Sequence, residues 1–352
     1  MTLEQTINRI RPADADAMAR AWQHWDSIAK PLRSLGLLEE AVVQLAGIQR
    51  TPDIRIDRRR VVVMCADNGI VAQGVTQSEQ HVTAVVTENI AWHNSSVCRM
   101  AASLGAEVVP VDVGVAEEVH ADGIVSRKVA RGTQDFTQTR AMTREQAVQA
   151  IEVGIEMAEC AQADGINLLA AGEMGIGNTT TSAAIASVLL GAEPQTVTGR
   201  GSGLTSAGLQ KKIQVIRDGI ALHQPDPEDI VDVLSAVGGF DLCAMCGLYL
   251  GAAALGIGVV LDGIISCVAA LCACRLCPAA ADYLIASHQS AEPAGKMLLD
   301  ALHKKPIILA NMALGEGTGA VALWPLLDLA LTVYREMCTF DQTDIGVYVP
   351  LK

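Results

Sequence analysis

Short apolar runs alternate with longer stretches of helical periodicity along most of the chain. The runs are Val61–Cys65, Val108–Val111, Ile166–Ala171, Val259–Leu261 and Ile307–Leu309. Each is followed, at once or within a few residues, by polar or glycine-bearing sequence: Asp67-Asn68-Gly69, Asp112, Gly172-Glu173, Asp262-Gly263 and Gly315-Glu316-Gly317. Between and before them, helical spacing of apolar residues covers Asp14–Asp26, Leu35–Ile48, Arg144–Ala163, Thr180–Leu190 and Leu209–His223, with a break at Lys30-Pro31. Apolar runs without alternation read as strands buried on both faces. Such strands separated by helices imply an α/β fold with a parallel sheet and right-handed crossovers. Ligands bind beyond the carboxyl ends of the strands in these sheets, so chemistry is expected in the polar punctuation.

Composition narrows the picture. Apolar residues make up 50% of the chain and charged ones 18%, which excludes disorder. Lys plus Arg is 26 against 39 Asp plus Glu, a formal charge of −13. That balance argues against nucleic acid as a partner, because phosphate affinity comes from clustered cations. Aromatic residues are only 3%, while Ala and Gly are plentiful, which suits close helix–sheet packing. The length of 352 residues fits two or three domains, or one large domain with an appendage.

The stretch Leu242–Leu261 carries no charge, which imitates a membrane span. Its glycines, the Asp262 that follows, and the lack of Lys or Arg between Arg217 and Arg275 argue instead for a buried helix over Asp241–Leu255, then a Gly-x-Gly turn and a strand. The start, MTLEQTINRI, has no signal-peptide pattern, so the ten cysteines are expected reduced and the chain cytoplasmic. Cys243-x-x-Cys246 and Cys272-x-Cys274-x-x-Cys277 have metal-like spacing. They sit in Ala/Leu-rich helical sequence, where cysteine serves as a small apolar filler, and no metal site is expected.

Three loops are candidates for chemistry. Gly172-Glu173-Met174-Gly175-Ile176-Gly177-Asn178-Thr179 joins a strand to a helix, and helix starts suit phosphate. Its spacing matches neither the dinucleotide fingerprint nor the P-loop, and a plain turn capped by Asn178 or Thr179 is the competing reading. Thr198-Gly199-Arg200-Gly201-Ser202-Gly203 opens another helix with Lys211 and Lys212 two turns in, which suits an anion or a plain surface loop. Leu314-Gly315-Glu316-Gly317 holds a carboxylate where small neighbours leave room for a substrate. His81, His93 and His288 are isolated, and His288 stands in the polar island Ser287–Glu292 after the strand-like Tyr283–Ala286.

The segments GEMGIGNTTTSAA, LSAVGGFDLCAMCGLYLGAA, VVLDGIIS, YLIASHQSAEPAG and ALGEGTGAVAL together resemble the nicotinate-nucleotide:dimethylbenzimidazole phosphoribosyltransferase family. Lys30-Pro31 and VVVMCADNGIVAQGV extend the likeness toward the N-terminus, so it covers nearly the whole chain. The resemblance implies transfer of a phosphoribosyl group from nicotinate mononucleotide to the lower-ligand base of a cobamide, with inversion at the anomeric carbon. It also implies a large Rossmann-like domain, residues 51–324, and a small helical domain from residues 1–50 and about 325–352. A dimer is implied, with no metal and no cofactor. Glu316 becomes the general base and Glu173 a second carboxylate that holds the ribose hydroxyls or stabilises the cationic sugar. Apolar surroundings are expected to raise the pKa of Glu316. Lys212, Ser290, Gly175, Gly177 and Gly201 fall to phosphate and ribose; Ser78, Val86, Met174 and Leu314 match positions around the acceptor base.

The chain departs from the family pattern at Asp67-Asn68-Gly69, where Asp-His-Gly is usual, and at Pro31–Gly36. It departs again at Val86, which aligns with a usual Gln, and at Ala313, where Arg can stand. An apolar Val86 widens the expected acceptors from benzimidazoles to phenols, and the partner from a second copy to a related subunit. An assembly subunit with weak activity is the alternative reading. The apolar helices on either side of Asp262 carry more surface than one sheet face hides, which also points to a dimer.

Overall fold

A computed structural model describes residues 1–346 and residue 348. Val347 and Val349–Lys352, the last part of the expected small helical domain, lie outside the described residues. The strands are β1 (Arg59–Ala66), β2 (Glu107–Gly114), β3 (Val125–Ser126), β4 (Leu168–Met174), β5 (Gly258–Leu261) and β6 (Leu284–Ala286). The helices are α1 (Leu3–Arg9), α2 (Ala15–Ser27), α3 (Leu37–Gln49), α4 (Val82–Ala91), α5 (Ser96–Ala102), α6 (Arg144–Ala163) and α7 (Asn178–Leu190). They continue with α8 (Pro194–Val197), α9 (Ser206–His223), α10 (Ile230–Val237), α11 (Phe240–Leu255), α12 (Ile264–Leu276), α13 (Ala294–Ala301) and α14 (Thr318–Glu336).

The strands form one sheet in the order β3-β2-β1-β4-β5-β6, and each adjacent pair is parallel. The parallel, Rossmann-like sheet is as expected, and its strand order reverses between β1 and β4. The reversal opens a crevice beyond the carboxyl ends of those two strands, next to Asp67 and Glu173. The sheet interior is apolar on both faces: Val61–Ala66 of β1 and Leu168–Ala171 of β4 are all buried.

Two expectations need correction here. Ile307–Leu309 is not a strand. Only Ile308 forms a bridge, to His288, while Leu309 is 77% exposed, and Pro306 just before has no amide to continue a ladder. The strand expected over Ile166–Ala171 begins at Leu168 and runs on to Met174, so Glu173 belongs to the strand rather than the loop. The short edge strand β3 was not foreseen.

The apolar helices are accommodated inside one chain. Every residue of α11 from Phe240 to Ala253 is buried, packed against α6, α12 and the sheet. Glycines make the α6–α11 crossing close enough. A Cβ on Gly154 would lie 1.8 Å from the Ala244 carbonyl oxygen, and one on Gly247 would lie 1.8 Å from that of Ile151. The apolar excess invoked for a dimer is therefore absorbed by backbone-to-backbone packing, and that reason for a dimer falls away. Cys243, Cys246, Cys267 and Cys272 are buried in α11 and α12, where burial pushes their thiols up. No described helix is long and apolar enough to cross a membrane.

The chain ends meet. Trp25 of α2 packs edge-on against Tyr334 of α14 at 5.0 Å, and the amide of Ala29 donates to the Cys338 carbonyl at 3.0 Å. Inside this group, Lys30 donates to the fully buried Glu39 at 2.7 Å, which fixes the turn between α2 and α3. Gln44 of α3 donates to the carbonyls of Asp282 and Leu284, at 2.8 and 2.9 Å, and so covers the free edge of β6. After Glu336 the chain leaves the helical path, so among the described residues the C-terminal part of the expected domain is helical only over α14 and a turn at Phe340–Gln342.

Candidate active site

Loops after β1, β4, β5 and β6 and the segment before α14 enclose a cavity of about 220 Å³. Its walls include Glu173, Met174, Gly175, Gly177, Gly201, Lys212, Ser290, Leu314 and Glu316. Nine residues singled out from the sequence thus share one space. Ser78 and Val86 are not among the walls. Ser78 lies in the loop behind Thr76, whose hydroxyl donates to its carbonyl at 2.7 Å, and Val86 is half-buried on α4 against the core.

On one side stands Glu173, near the end of β4. Its carboxylate is buried and accepts a hydrogen bond from the Asn178 amide. The same Asn178 nitrogen donates to Asp241 at 3.2 Å. One side-chain amide therefore bridges two buried carboxyls. Burial, then the charge of Asp241, pushes Glu173 up to about 8 against the pull of Asn178 and the Glu316 amide. Burial likewise raises Asp241 to about 7. Small residues make this cluster possible: a Cβ on Gly175 would lie 2.8 Å from an Asp241 oxygen and 2.4 Å from the Ala66 carbonyl. The helix cap expected at Asn178 or Thr179 is instead Gly177, at φ +94°, which frees both side chains for the cavity.

Facing it is the segment Gly315-Glu316-Gly317. All three residues have positive φ, +94°, +61° and +92°. For Glu316 the left-handed conformation costs about 1–2 kcal/mol. The segment lies directly on β4: a Cβ on Gly172 would meet the Glu316 carbonyl at 2.2 Å, and one on Gly315 would meet Glu173 Oε1 at 2.6 Å. Glu316 itself is half-buried, and its Oε2 accepts a hydrogen bond from the Val97 amide in the first turn of α5, at 3.2 Å. The apolar enclosure expected around Glu316 is found around Glu173.

A third side carries positive charge. Lys212 of α9 is buried, and its ammonium donates to Thr179 Oγ1 at 2.7 Å. Burial lowers it to about 8, with Glu292 acting in the opposite sense. Gly201, at φ +53°, passes beside both groups, since a Cβ there would lie 2.9 Å from Thr179 Oγ1 and 3.5 Å from Lys212 Nζ. Ser290 is buried, and its hydroxyl accepts from the Glu292 amide at 3.3 Å. His288 also lines the cavity, buried and paired with the Ser287 hydroxyl at 2.9 Å, and burial lowers its pKa.

Sequence reasoning missed Asp241, Asp262, Asn178 and Thr179 as site residues. A signal for Asp241 was present: it is the only charged residue between Asp232 and Asp262. Among the described residues no group of three or more His, Cys, Asp or Glu side chains is placed to hold a metal ion. The arrangement has a buried lysine beside a glycine loop, a pair of buried carboxyls with raised pKa values and one half-buried glutamate. It suits displacement on a phosphorylated sugar.

Comparisons with known proteins agree with that chemistry. A family model described as phosphoribosyltransferase matches residues 10–345. The nicotinate-nucleotide–dimethylbenzimidazole phosphoribosyltransferase of Ruminiclostridium cellulolyticum is 43% identical over 352 residues, covering 100% of each chain. The enzyme of the same name from Chloroflexus aggregans is 44% identical over 346 residues, covering 98% of each. The crystal structure of CobT from Thermus thermophilus superposes with a TM-score of 0.89 at 39% identity, covering 94% of this chain and 99% of that one.

Proposed function

The chain belongs to the nicotinate-nucleotide–dimethylbenzimidazole phosphoribosyltransferase family, and from that premise we propose that it transfers the phosphoribosyl group of nicotinate mononucleotide to a benzimidazole base. The observation that carries this reading is one cavity lined by both Glu173 and Glu316, with Lys212 and Thr179 on a further wall.

In this reading the 5′-phosphate sits at Lys212, Thr179 and the Gly201 loop, near the start of α7. A phosphate there restores the charge that burial disfavours on Lys212. The ribose lies between Ser290 and Glu173. With its pKa near 8, Glu173 is largely protonated at neutral pH and donates a hydrogen bond to a ribose hydroxyl. The acceptor ring lies against Met174 and Leu314. Its ring nitrogen attacks the anomeric carbon from the face opposite nicotinate. The glycosidic C–N bond breaks, its electron pair returns to the pyridine nitrogen, and nicotinate leaves. The proton on the other ring nitrogen passes to Glu316. The products are nicotinate, a proton and an α-riboside 5′-phosphate.

The case for a phenolic acceptor came from Val86 as a pocket wall, and that support is lost with Val86 outside the cavity. A weakly active assembly subunit is disfavoured because both carboxyls and Lys212 are present and share one space. The test is nicotinate release and riboside formation from nicotinate mononucleotide with dimethylbenzimidazole or p-cresol, for wild type and Glu316→Gln. The benzimidazole riboside should form and the variant should lose it. No riboside with either acceptor, or the phenolic one alone, overturns the reading.

A further inference from the structure

Asp262, at the end of β5, is buried and belongs to none of the interactions used so far. Its two oxygens accept hydrogen bonds from two backbone amides of the α14 start: Gly317 at 3.1 Å and Gly319 at 2.7 Å. These residues closely follow Glu316 in the chain. Glycine at 319 is what allows the approach, because a Cβ there would lie 2.6 Å from Asp262 Oδ1 and 2.1 Å from His288 Nδ1. Asp262 is in turn fixed from behind. Its own amide donates to Ser266 Oγ at 2.9 Å, and that hydroxyl pairs with the fully buried Tyr249 of α11 at 2.7 Å. A rigid path thus runs from the core helix α11 through Asp262 to a segment with three successive positive-φ residues.

We propose that Asp262 is the positioning residue for Glu316: although it borders the cavity, it acts by holding the strained Gly315–Gly317 turn so that the Glu316 carboxylate faces the acceptor. The proposal rests on the reading of Glu316 as the base. Two bonds to one side chain fix both the position and the direction of the turn, whereas one would leave a pivot. Burial raises Asp262 to about 6 while the Gly319 and Gly317 amides pull it down, so it is largely a carboxylate at neutral pH and accepts from both. Asparagine has the same shape but only one accepting atom, so one of the two amides would face an NH₂ group. Misplacement of a reacting group by about 1 Å is worth about a hundredfold in rate.

The experiment is a double-mutant cycle with steady-state kinetics on the full chain: wild type, Asp262→Asn, Glu316→Gln and the double variant, with nicotinate mononucleotide affinity measured by calorimetry on each. Asp262→Asn should lower kcat by about tenfold to a hundredfold, with nicotinate mononucleotide affinity within about threefold of wild type. The double variant should be no slower than Glu316→Gln alone, because a residue that acts only through Glu316 has nothing left to position. Independent, multiplying losses would mark a general structural role and overturn the proposal. So would a weakened nucleotide affinity with unchanged kcat, which would make Asp262 a substrate contact. A fully active Glu316→Gln would instead sink the assignment of the base. If Asp262→Asn does not fold, Asp262→Glu, which keeps the charge but displaces it by one methylene, takes its place in the cycle with the same expected outcomes.

Discussion

The two glutamates that line the cavity are held in opposite ways. Glu173 sits on a strand in ordinary backbone geometry, deeply buried, and shares the Asn178 amide with Asp241. Glu316 sits in strained backbone, half-buried, with a single amide donor on its carboxylate. The first environment needs no help to fix position, and its effect falls on protonation. The second leaves the carboxylate accessible, and the cost falls on the backbone, which Asp262 offsets with two hydrogen bonds. In the proposed mechanism Glu173 keeps a proton and Glu316 receives one.

That contrast orders the expected effects of mutation. Glu316→Gln should cause the largest loss, about 10²–10⁴ in kcat, since it removes the proton acceptor and keeps the shape. Steady-state kinetics at saturating nucleotide would measure it. Next comes Lys212→Met, which should raise the KM for nicotinate mononucleotide by about tenfold to a hundredfold, the value of a charged hydrogen bond. Because burial lowers Lys212 to about 8 and a phosphate would raise it again, binding near that pH should take up a proton. Calorimetry in buffers of different ionisation heat would detect the uptake.

Glu173→Gln should cost less than about tenfold in kcat at neutral pH, because glutamine keeps the donor that a protonated glutamate supplies. It should also flatten any loss of rate as pH rises through about 8, where wild-type Glu173 gives up its proton. A pH–rate profile of both proteins checks this. A loss as large as that of Glu316→Gln would erase the distinction between the two sides.

The smallest effect is on stability. Asp241 and Glu173 are raised by burial, so their contribution to stability is whole below the usual carboxyl range. It is lost as pH climbs through about 7 and about 8. Asp241→Asn should therefore unfold a few degrees higher than wild type in mild alkali and at nearly the same temperature only at pH ~4, the usual carboxyl range. Thermal denaturation across that range would show whether the gap opens with pH.

Much of this was legible in the sequence because periodicity and glycine report local geometry. The strands β1, β2 and β5 and the helices α6, α9 and α11 announce themselves through their apolar spacing. Gly-Glu-Gly announces a carboxylate in unusual backbone. Long-range consequences were harder to read. Ile307–Leu309 has strand-like residues but only one position that reaches the chain just after β6. The apolar surface of α11 looked like excess because the close α6 crossing depends on Gly154 and Gly247, 93 residues apart, meeting backbone to backbone. Asp241 and Asp262 were hidden because each acts through a partner far along the chain, Asn178 or Gly317.

The central claim is that Glu173 carries a proton at neutral pH, kept there by burial and the neighbouring charge of Asp241. Infrared difference spectroscopy in the protonated-carboxyl region tests this directly, with wild type, Glu173→Gln and Glu316→Gln compared at neutral pH. The account predicts a protonated-carboxyl band in wild type that weakens in Glu173→Gln to the share carried by Asp241, raised to about 7, and keeps its full strength in Glu316→Gln. A band that keeps its full strength in Glu173→Gln and weakens in Glu316→Gln would contradict it.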